Sequence, residues 1–270
     1  MPLHDILPAA AGRRASTGVW QGLALCALAL LGAPVVAGVP VAVDVGHYLD
    51  KPGAISAHGI TEFEYNHALA AVIAARLADA GTPVRLIGHR GEMADLRARP
   101  REAEAAGAGF FLSVHHDSVK EQYLQPWVWQ GRALRHAEGF AGFSLFVSRL
   151  NPRLDESLAC ASAIGAALRR AGLPVATHHG VSSEGVARPW ADETNGVYFY
   201  DNLVVLKTAT VPAVLLEAGP SSTARRSAPW PRPSAGPSPP GRCWTGCSAA
   251  GWRPPRDRRR RIGQNATRTN

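Results

Sequence analysis

Four places in the chain put ligand-type side chains directly after apolar runs. The β-branched run 39–45 (VPVAVDV) leads into Asp44-Val45-Gly46-His47, and the run beginning at Phe110 ends in Ser113-Val114-His115-His116-Asp117. Glu217 closes the wholly apolar stretch Val211–Leu216, and Glu62 heads a helical pattern just after Gly59-Ile60-Thr61. Two imidazoles and one carboxylate, with a fourth position left to water, form a known catalytic zinc set. A metal held in this way brings the pKa of its water to about 7, and a further carboxylate nearby can take the proton as that water attacks a carbonyl. Here the candidates are dispersed along the chain, unlike the clustered His-Glu-x-x-His arrangement, so the fold has to bring them together.

The elements that must do so alternate in period. Strands are expected at Val39–Val45, Val84–Ile87, Phe110–His115, Phe143–Val147 and Val211–Glu217. Helices are expected over Thr61–Ala80, where Leu69, Val72, Ile73 and Leu77 recur every three to four residues, over the Ala- and Glu-rich Met93–Ala106, and over Asp155–Ala171. Gly81, Gly107 and Gly172 follow these helices as stops. Ser118–Ala141, polar and Trp-containing, reads as a loop or insertion. Strands separated by helices of 10–20 residues imply βαβ units, so the fold class is α/β: a twisted, largely parallel sheet flanked by helices in a single catalytic domain. In such sheets functional groups gather beyond the carboxyl ends of the strands, where His47, His115 and Glu217 all fall.

Local geometry narrows the choices. His115 and His116 are neighbours on a strand and point to opposite faces, so only one readily meets a metal. Glu62 and Glu64 lie about 200° apart around a helix, and Asn66, four residues on, continues the face of Glu62. Asp117 is either an orienter on the His115 side or a turn residue, and His178-His179 lie in a Gly-flanked loop near substrate or metal, or simply at the surface. Arg99 is either a contact at the site edge or a charge on a helix surface. Trp127, Trp129 and Trp190 are candidates to line a groove, although core packing is the commoner use of Trp.

The chain has 270 residues with 46% apolar composition, enough for one domain of ordinary size with appendages and too apolar for wholesale disorder. Its net charge of +8 belongs to one end, because residues 219–270 hold eleven arginines and a single acid, Asp257. The same segment has nine prolines and no Leu, Val, Phe, Tyr or Met, so it lacks the apolar surface needed to offset the entropy of ordering. At the other end, Arg13-Arg14 precede the apolar run Leu23–Leu31, with small residues before Gly38, the pattern of an export signal. A retained N-terminal anchor is the rival reading of residues 1–38, but Pro34 and Pro40 interrupt the run and leave less than a span of about 20 residues. Four cysteines form no framework, and Cys243-x-x-x-Cys247 has no partner pair to complete a zinc knuckle.

In order along the chain stand VAVDVGH at 41–47, Gly59-x-x-Glu62 with Asn66, Leu96-x-x-Arg99, FLSVHHD at 111–117, Ser157-Leu158-Ala159, Leu203–Lys207 and PAVLLEAG at 212–219. Together they resemble the zinc-dependent N-acetylmuramoyl-L-alanine amidases of bacterial cell-wall turnover, the amidase-3 family. The resemblance implies a catalytic domain over 39–219, with His47, Glu62 and His115 holding Zn2+ and Glu217 as the catalytic carboxylate. It further implies hydrolysis of the amide between N-acetylmuramic acid and L-alanine in peptidoglycan or muropeptides. The expected location is periplasmic or extracellular, with no stable membrane association after signal cleavage and no nucleic acid as partner. Val45 stands where the family has Pro, and Tyr48-Leu49 replace two glycines, which alters the loop beyond His47. After Gly219 the family continues with a loop and a closing helix, whereas residues 220–270 read as a disordered Pro- and Arg-rich tail.

Two other function classes are weighed. An Arg cluster such as 256–261 is able to neutralise phosphates, which makes a nucleic-acid binder the second hypothesis. A catalytically inert binder of cell-wall peptide is the third, disfavoured because all four site residues are present. The tail is either a genuine extension or the product of a displaced reading frame in GC-rich DNA, since Arg, Pro, Gly, Ala and Ser are what such codons encode. Without a closing helix, the last strand is expected to have an uncovered edge or face, and the protein to be marginally stable or prone to aggregate.

Overall fold

The computed structural model describes residues 38–181 and 187–223, so the segment read as an export signal and the tail from Ala224 onward lie outside the described residues. Nine strands are found among the described residues: β1 (Val41–Val45), β2 (Val84–Ile87), β3 (Phe110–His115), β4 (Gln125–Trp129), β5 (Arg132–His136), β6 (Ser144–Val147), β7 (Trp190–Asp192), β8 (Val197–Phe199) and β9 (Ala213–Glu217). The helices are α1 (Glu62–Asp79), α2 (Ala98–Ala105), α3 (Leu154–Arg170) and α4 (Val204–Lys207). Seven strands form one mixed sheet in the order β2-β1-β3-β9-β6-β8-β7, and β4 with β5 forms a separate hairpin. The run β2-β1-β3-β9 is parallel, β6 pairs antiparallel with β9, and β8 is parallel to β6, so the sheet is mostly parallel, as the alternation of periods implies.

Alternation along the strands divides the apolar residues between two faces. Val41, Val43, Val45, Leu112, Val114, Val214 and Leu216 pack with Leu69 and Leu77 of α1 and Cys160 and Ala161 of α3. On the other face, Ala42, Phe111, Ala213 and Leu215 pack with Ala103 of α2 and Val205 and Leu206 of α4. Buried polar groups tie the layers together. Ser157 Oγ on α3 accepts from Ala213 N at 2.9 Å, and Asn151 Nδ2 donates to the carbonyls of Leu206, Ala209 and Val211.

One buried ion pair joins α2 to the exit of β1. Arg99 is 1% exposed and Asp44 0%, with Nη1 2.7 Å from Oδ1. Arg99 also donates to the carbonyls of Val45, His47 and Met93, and Ser113 Oγ donates to the second Asp44 oxygen at 2.7 Å. Of the five guanidinium hydrogens only that on Nε lacks a partner. Arg99 is therefore no helix-surface charge: it clamps the exit of β1 and reaches the edge of the site at the His47 carbonyl.

Several expectations shift. The first helical turns expected from Met93 are irregular, because Asp95 bonds the backbone N–H of Arg97 and holds a local turn, so α2 begins at Ala98. Ser118–Ala141 contains the β4–β5 hairpin, closed by Gln130 and Gly131, both at positive φ as a type I′ turn requires. Neither strand alternates cleanly, since Pro126, Arg132 and Arg135 interrupt the pattern. The strands β7 and β8, three residues each, are too short for periodicity to register.

The chain also stays in the domain beyond Gly219. Ser221, Ser222 and Thr223 are buried, Ser221 N donates to Asp117 O, and Ala137 N donates to Ser222 O. Backbone bonds hold this segment, so counting apolar side chains does not reveal it. Nor is β9 an uncovered strand: it lies inside the sheet between β3 and β6, with α3 and α4 packed on it.

Replacing Arg99 by Met leaves Asp44 buried without its partner, so we expect a loss of about 3–5 kcal/mol in urea unfolding. Arg85, which pairs with Glu102 at the surface (side chains 54% and 34% exposed), should cost less than about 1 kcal/mol when replaced by Met.

Candidate metal centre and active site

The site is assembled where β1, β3 and β9 end together. Val45 is in register with Val114 and His115 with Glu217, which aligns the three carboxyl ends. His47 follows β1 by two residues and adopts φ +66°, a left-handed conformation uncommon outside glycine. Two bonds hold it there: Gly46 N donates to Val114 O at 3.0 Å, and the His47 carbonyl accepts from Arg99.

Glu62 reaches the same point from the first turn of α1. Thr61 Oγ1 accepts from Glu64 N while the Glu64 carboxylate accepts from Thr61 N, a capping box that fixes where the helix starts. Glu64, the rival carboxylate, is thus spent on the cap. Asn66 is fully buried one turn further on: its Nδ2 donates to Gly46 O at 3.2 Å and to Glu62 Oε1 at 3.4 Å, and its Oδ1 faces His116 Nδ1 at 2.8 Å. One amide therefore links the β1 exit, the helix carboxylate and the β3 exit. Burial pushes the His116 imidazole down to about 4, so it is neutral near pH 7 and packs beside Tyr65.

His47 Nε2 and His115 Nδ1 each lie 3.0 Å from Glu62 Oε1, and the two rings meet edge to face with centroids 5.0 Å apart. Ligand bonds of 2.0–2.1 Å in a tetrahedron imply ligand–ligand separations of roughly 3.3 Å, so this donor set fits zinc. Burial raises the Glu62 carboxyl, but hydrogen bonds and charge from His115 and His47 outweigh it and hold the group well below the usual carboxylate range. These side chains line a cleft of about 370 Å³ together with Gly53, Ala54, His116, Asp117, Ser118 and Glu217. Gly46 and Gly53 make room for them: a Cβ on Gly46 would stand 2.2 Å from His115 Nε2, and one on Gly53 (φ +79°) 2.5 Å from Glu62 Oε2.

Glu217 shares this cleft but not the cluster. Its Oε2 is sealed from solvent without a hydrogen-bond partner. Burial raises its carboxyl well above the ordinary value, Asp117 and Glu62 raise it further, and Arg188 opposes them. Asp117 has different company: His178 Nε2 lies 2.6 Å and His179 Nε2 3.0 Å from its Oδ2. Burial raises Asp117, but these two imidazoles bring it down to about 2.

Of the aromatic candidates, Trp190 stacks on Tyr198 at 3.7 Å inside the fold. Trp127 stacks on Trp129 and donates to Ala57 O, bracing the loop before α1. Sequence reasoning missed Gly53 and Arg188. Arg188 lies on an irregular stretch before β7, with its guanidinium 3.9 Å over the Tyr200 ring. No periodic signal marks either residue.

Two measurements follow from this geometry. Gly46→Ala should weaken zinc binding about 10–100-fold in competition with a chelator while leaving the far-UV circular dichroism unchanged, because the new Cβ collides with the His115 ring. Glu217→Gln should stabilise the metal-free protein at neutral pH. A carboxyl whose folded pKa lies above its unfolded value costs stability once pH exceeds the unfolded value, and amidation removes that cost. The gain in urea midpoint should vanish below about pH 4, where the carboxyl is protonated in both states.

The model of the N-acetylmuramoyl-L-alanine amidase family Amidase_3 matches residues 41–228, past Gly219 and through the buried turn 220–223. Among solved structures, the N-acetylmuramyl-L-alanine amidase Ami1 of Mycobacterium smegmatis is 18% identical, with a TM-score of 0.56 over 80% of this chain and 94% of its own. The apo form of Ami1 from Mycobacterium abscessus is 19% identical, with a TM-score of 0.55 over 80% and 96%. The N-acetylmuramoyl-L-alanine amidase of Clostridium difficile 630 is 17% identical, with a TM-score of 0.53 over 71% and 84%. At such identities the likeness is one of fold. No curated protein matches the chain. The family match covers well over half of the sequence, including all three strand ends and the head of α1, and on that ground the chain belongs to the N-acetylmuramoyl-L-alanine amidase family.

Proposed function

We propose that this chain is an exported, zinc-dependent peptidoglycan hydrolase that cleaves the amide between N-acetylmuramic acid and the L-alanine of the stem peptide. The observation that carries the reading is the convergence of His47, Glu62 and His115 on one point, in a cleft shared with Glu217, one of whose carboxyl oxygens is buried without a hydrogen-bond partner. Those three residues would hold zinc, which would supply the positive charge that acidifies a water and polarises the amide carbonyl.

The chain's own residues do the rest. Glu217 takes the proton of the attacking water as the carbon–oxygen bond forms. It then returns that proton to the departing nitrogen as the carbon–nitrogen bond breaks, leaving a carboxylic acid and a free amine. A carboxyl raised above its ordinary range is suited to both steps, since catalytic acids and bases work best with pKa values near the operating pH. His116 stays neutral and, through Asn66, keeps Glu62 and the β1 exit in place without competing for the proton. Export is supported by the pattern of residues 1–38 and suits a cell-wall substrate.

Purified full-length protein incubated with peptidoglycan should release intact stem peptides beginning with L-alanine, identified by mass spectrometry. Products cut within the glycan or within the peptide would sink the reading. Chelation should abolish release and zinc restore it. His115→Ala should be inactive, and Glu217→Gln should lower kcat about 10²–10⁴-fold while still binding zinc.

A further inference from the structure

Outside the His47–Glu62–His115 cluster, the described residues contain a second convergence of metal-ligating side chains. We propose that Asp117, His178 and His179 form a second site for a transition-metal dication, at the wall of the cleft contributed by Asp117.

The geometry of this trio repeats that of the first. Each has one carboxylate oxygen facing two imidazole nitrogens, at 3.0 and 3.0 Å in the first and at 2.6 and 3.0 Å in the second. Here both nitrogens are Nε2 and both lie close to the same Asp117 Oδ2. His178 is aligned for a hydrogen bond to that oxygen, but His179 Nε2 is not and stays buried without a hydrogen-bond partner. A nitrogen that is buried, 3.0 Å from the carboxylate and without a hydrogen bond is a poor structural choice for a hydrogen-bonded trio, because an unsatisfied buried polar group costs about 1–3 kcal/mol. As a ligand to an ion at that point it is fully used.

The surroundings hold the three side chains still. Asp117 is fixed by its backbone, with N donating to Gly219 O and its carbonyl accepting from Ser221 N. His178 and His179 occupy a short 3-10 turn, and the His179 carbonyl accepts from Arg188 N. The His179 ring meets Phe146 and Tyr198 edge-on, and His178 meets Phe140. Apolar walls raise the cost of leaving buried polar groups uncompensated and favour an ion that satisfies all three.

Two imidazoles and one carboxylate select zinc, cobalt(II) or nickel(II) over magnesium and calcium, which take oxygen ligands. Three protein ligands leave coordination positions open. Because Asp117 also lines the cleft, an ion here can accept a carboxylate or carbonyl from whatever occupies that cleft.

The test is metal stoichiometry on the full chain, stripped with chelator, reloaded with zinc, desalted and read by plasma mass spectrometry. The wild type should hold two ions, His47→Ala one, and the double variant His178→Ala/His179→Ala one. A wild type with a single ion, lost in His47→Ala and kept in the double variant, would overturn this site while leaving the first centre standing. Cobalt(II) titration of the wild type gives the answer even where a variant misfolds. Visible absorption should break at two equivalents, and a single break at one equivalent refutes the second site.

Discussion

Everything at the candidate site rests on one buried ion pair. Asp44 and Arg99 are almost wholly removed from water, a placement that costs several kcal/mol per charge unless hydrogen bonds replace the lost hydration. Here they do: Asp44 takes Ser113 and Arg99, and Arg99 takes three backbone carbonyls besides. Two of those carbonyls, of Val45 and His47, belong to the exit of β1. The guanidinium thus bridges strand and loop and holds His47 in a left-handed conformation that costs an ordinary residue about 1–2 kcal/mol. A strained residue on a clamped loop has few ways to relax, which is how side chains dispersed along the sequence are held around one point.

The same economy appears in the electrostatics. Three carboxylates, Glu62, Asp117 and Glu217, line one cleft, and burial penalises the charge on each. Glu62 and Asp117 each face two imidazoles and stay ionised. Glu217 faces none, feels the other two as like charges, and is raised. Environment alone therefore divides three carboxyl groups into two that imidazoles hold ionised and one that is pushed toward its protonated form. Arg188 tempers the third from an irregular segment whose guanidinium stacks on Tyr200.

Legibility in the sequence follows the range of each interaction. His47, His115 and Glu217 are readable because each ends an apolar run, and a strand end in an α/β sheet is where chemistry gathers. Glu62 is readable through Asn66 at i+4, and the structure gives that spacing a reason, since Asn66 bonds Glu62 as well as the β1 and β3 exits. Arg99 is ambiguous in sequence because its partners Asp44, Val45 and His47 lie more than fifty residues upstream, and nothing local separates a clamp from a surface charge. Asp117 is undecided for the same reason, since its partners at 178 and 179 arrive on a loop with no periodicity. The hairpin escapes because its turn is Gln130-Gly131 rather than Asn-Gly and because Pro126 interrupts one strand and Arg132 and Arg135 the other.

The end of the domain shows where composition misleads. The segment from Gly219 carries no large aliphatic residue until Ile262, so an argument from apolar burial ends the fold there. In the structure the next four residues are built in by backbone bonds: Ser221 spans from Asp117 to Ala57, and Ser222 takes the N–H of Ala137 just beyond the hairpin. They join three places that would otherwise be separate: the β3 exit, the loop before α1 and the end of β5. Burial here follows from hydrogen bonding rather than from hydrophobicity. The position of β9 supports the same conclusion. A final strand at a sheet edge would depend on whatever chain follows it, but β9 pairs on both sides and is covered by α3 and α4. Glu217 therefore takes its rigidity from β3 and β6, elements complete before the basic tail begins.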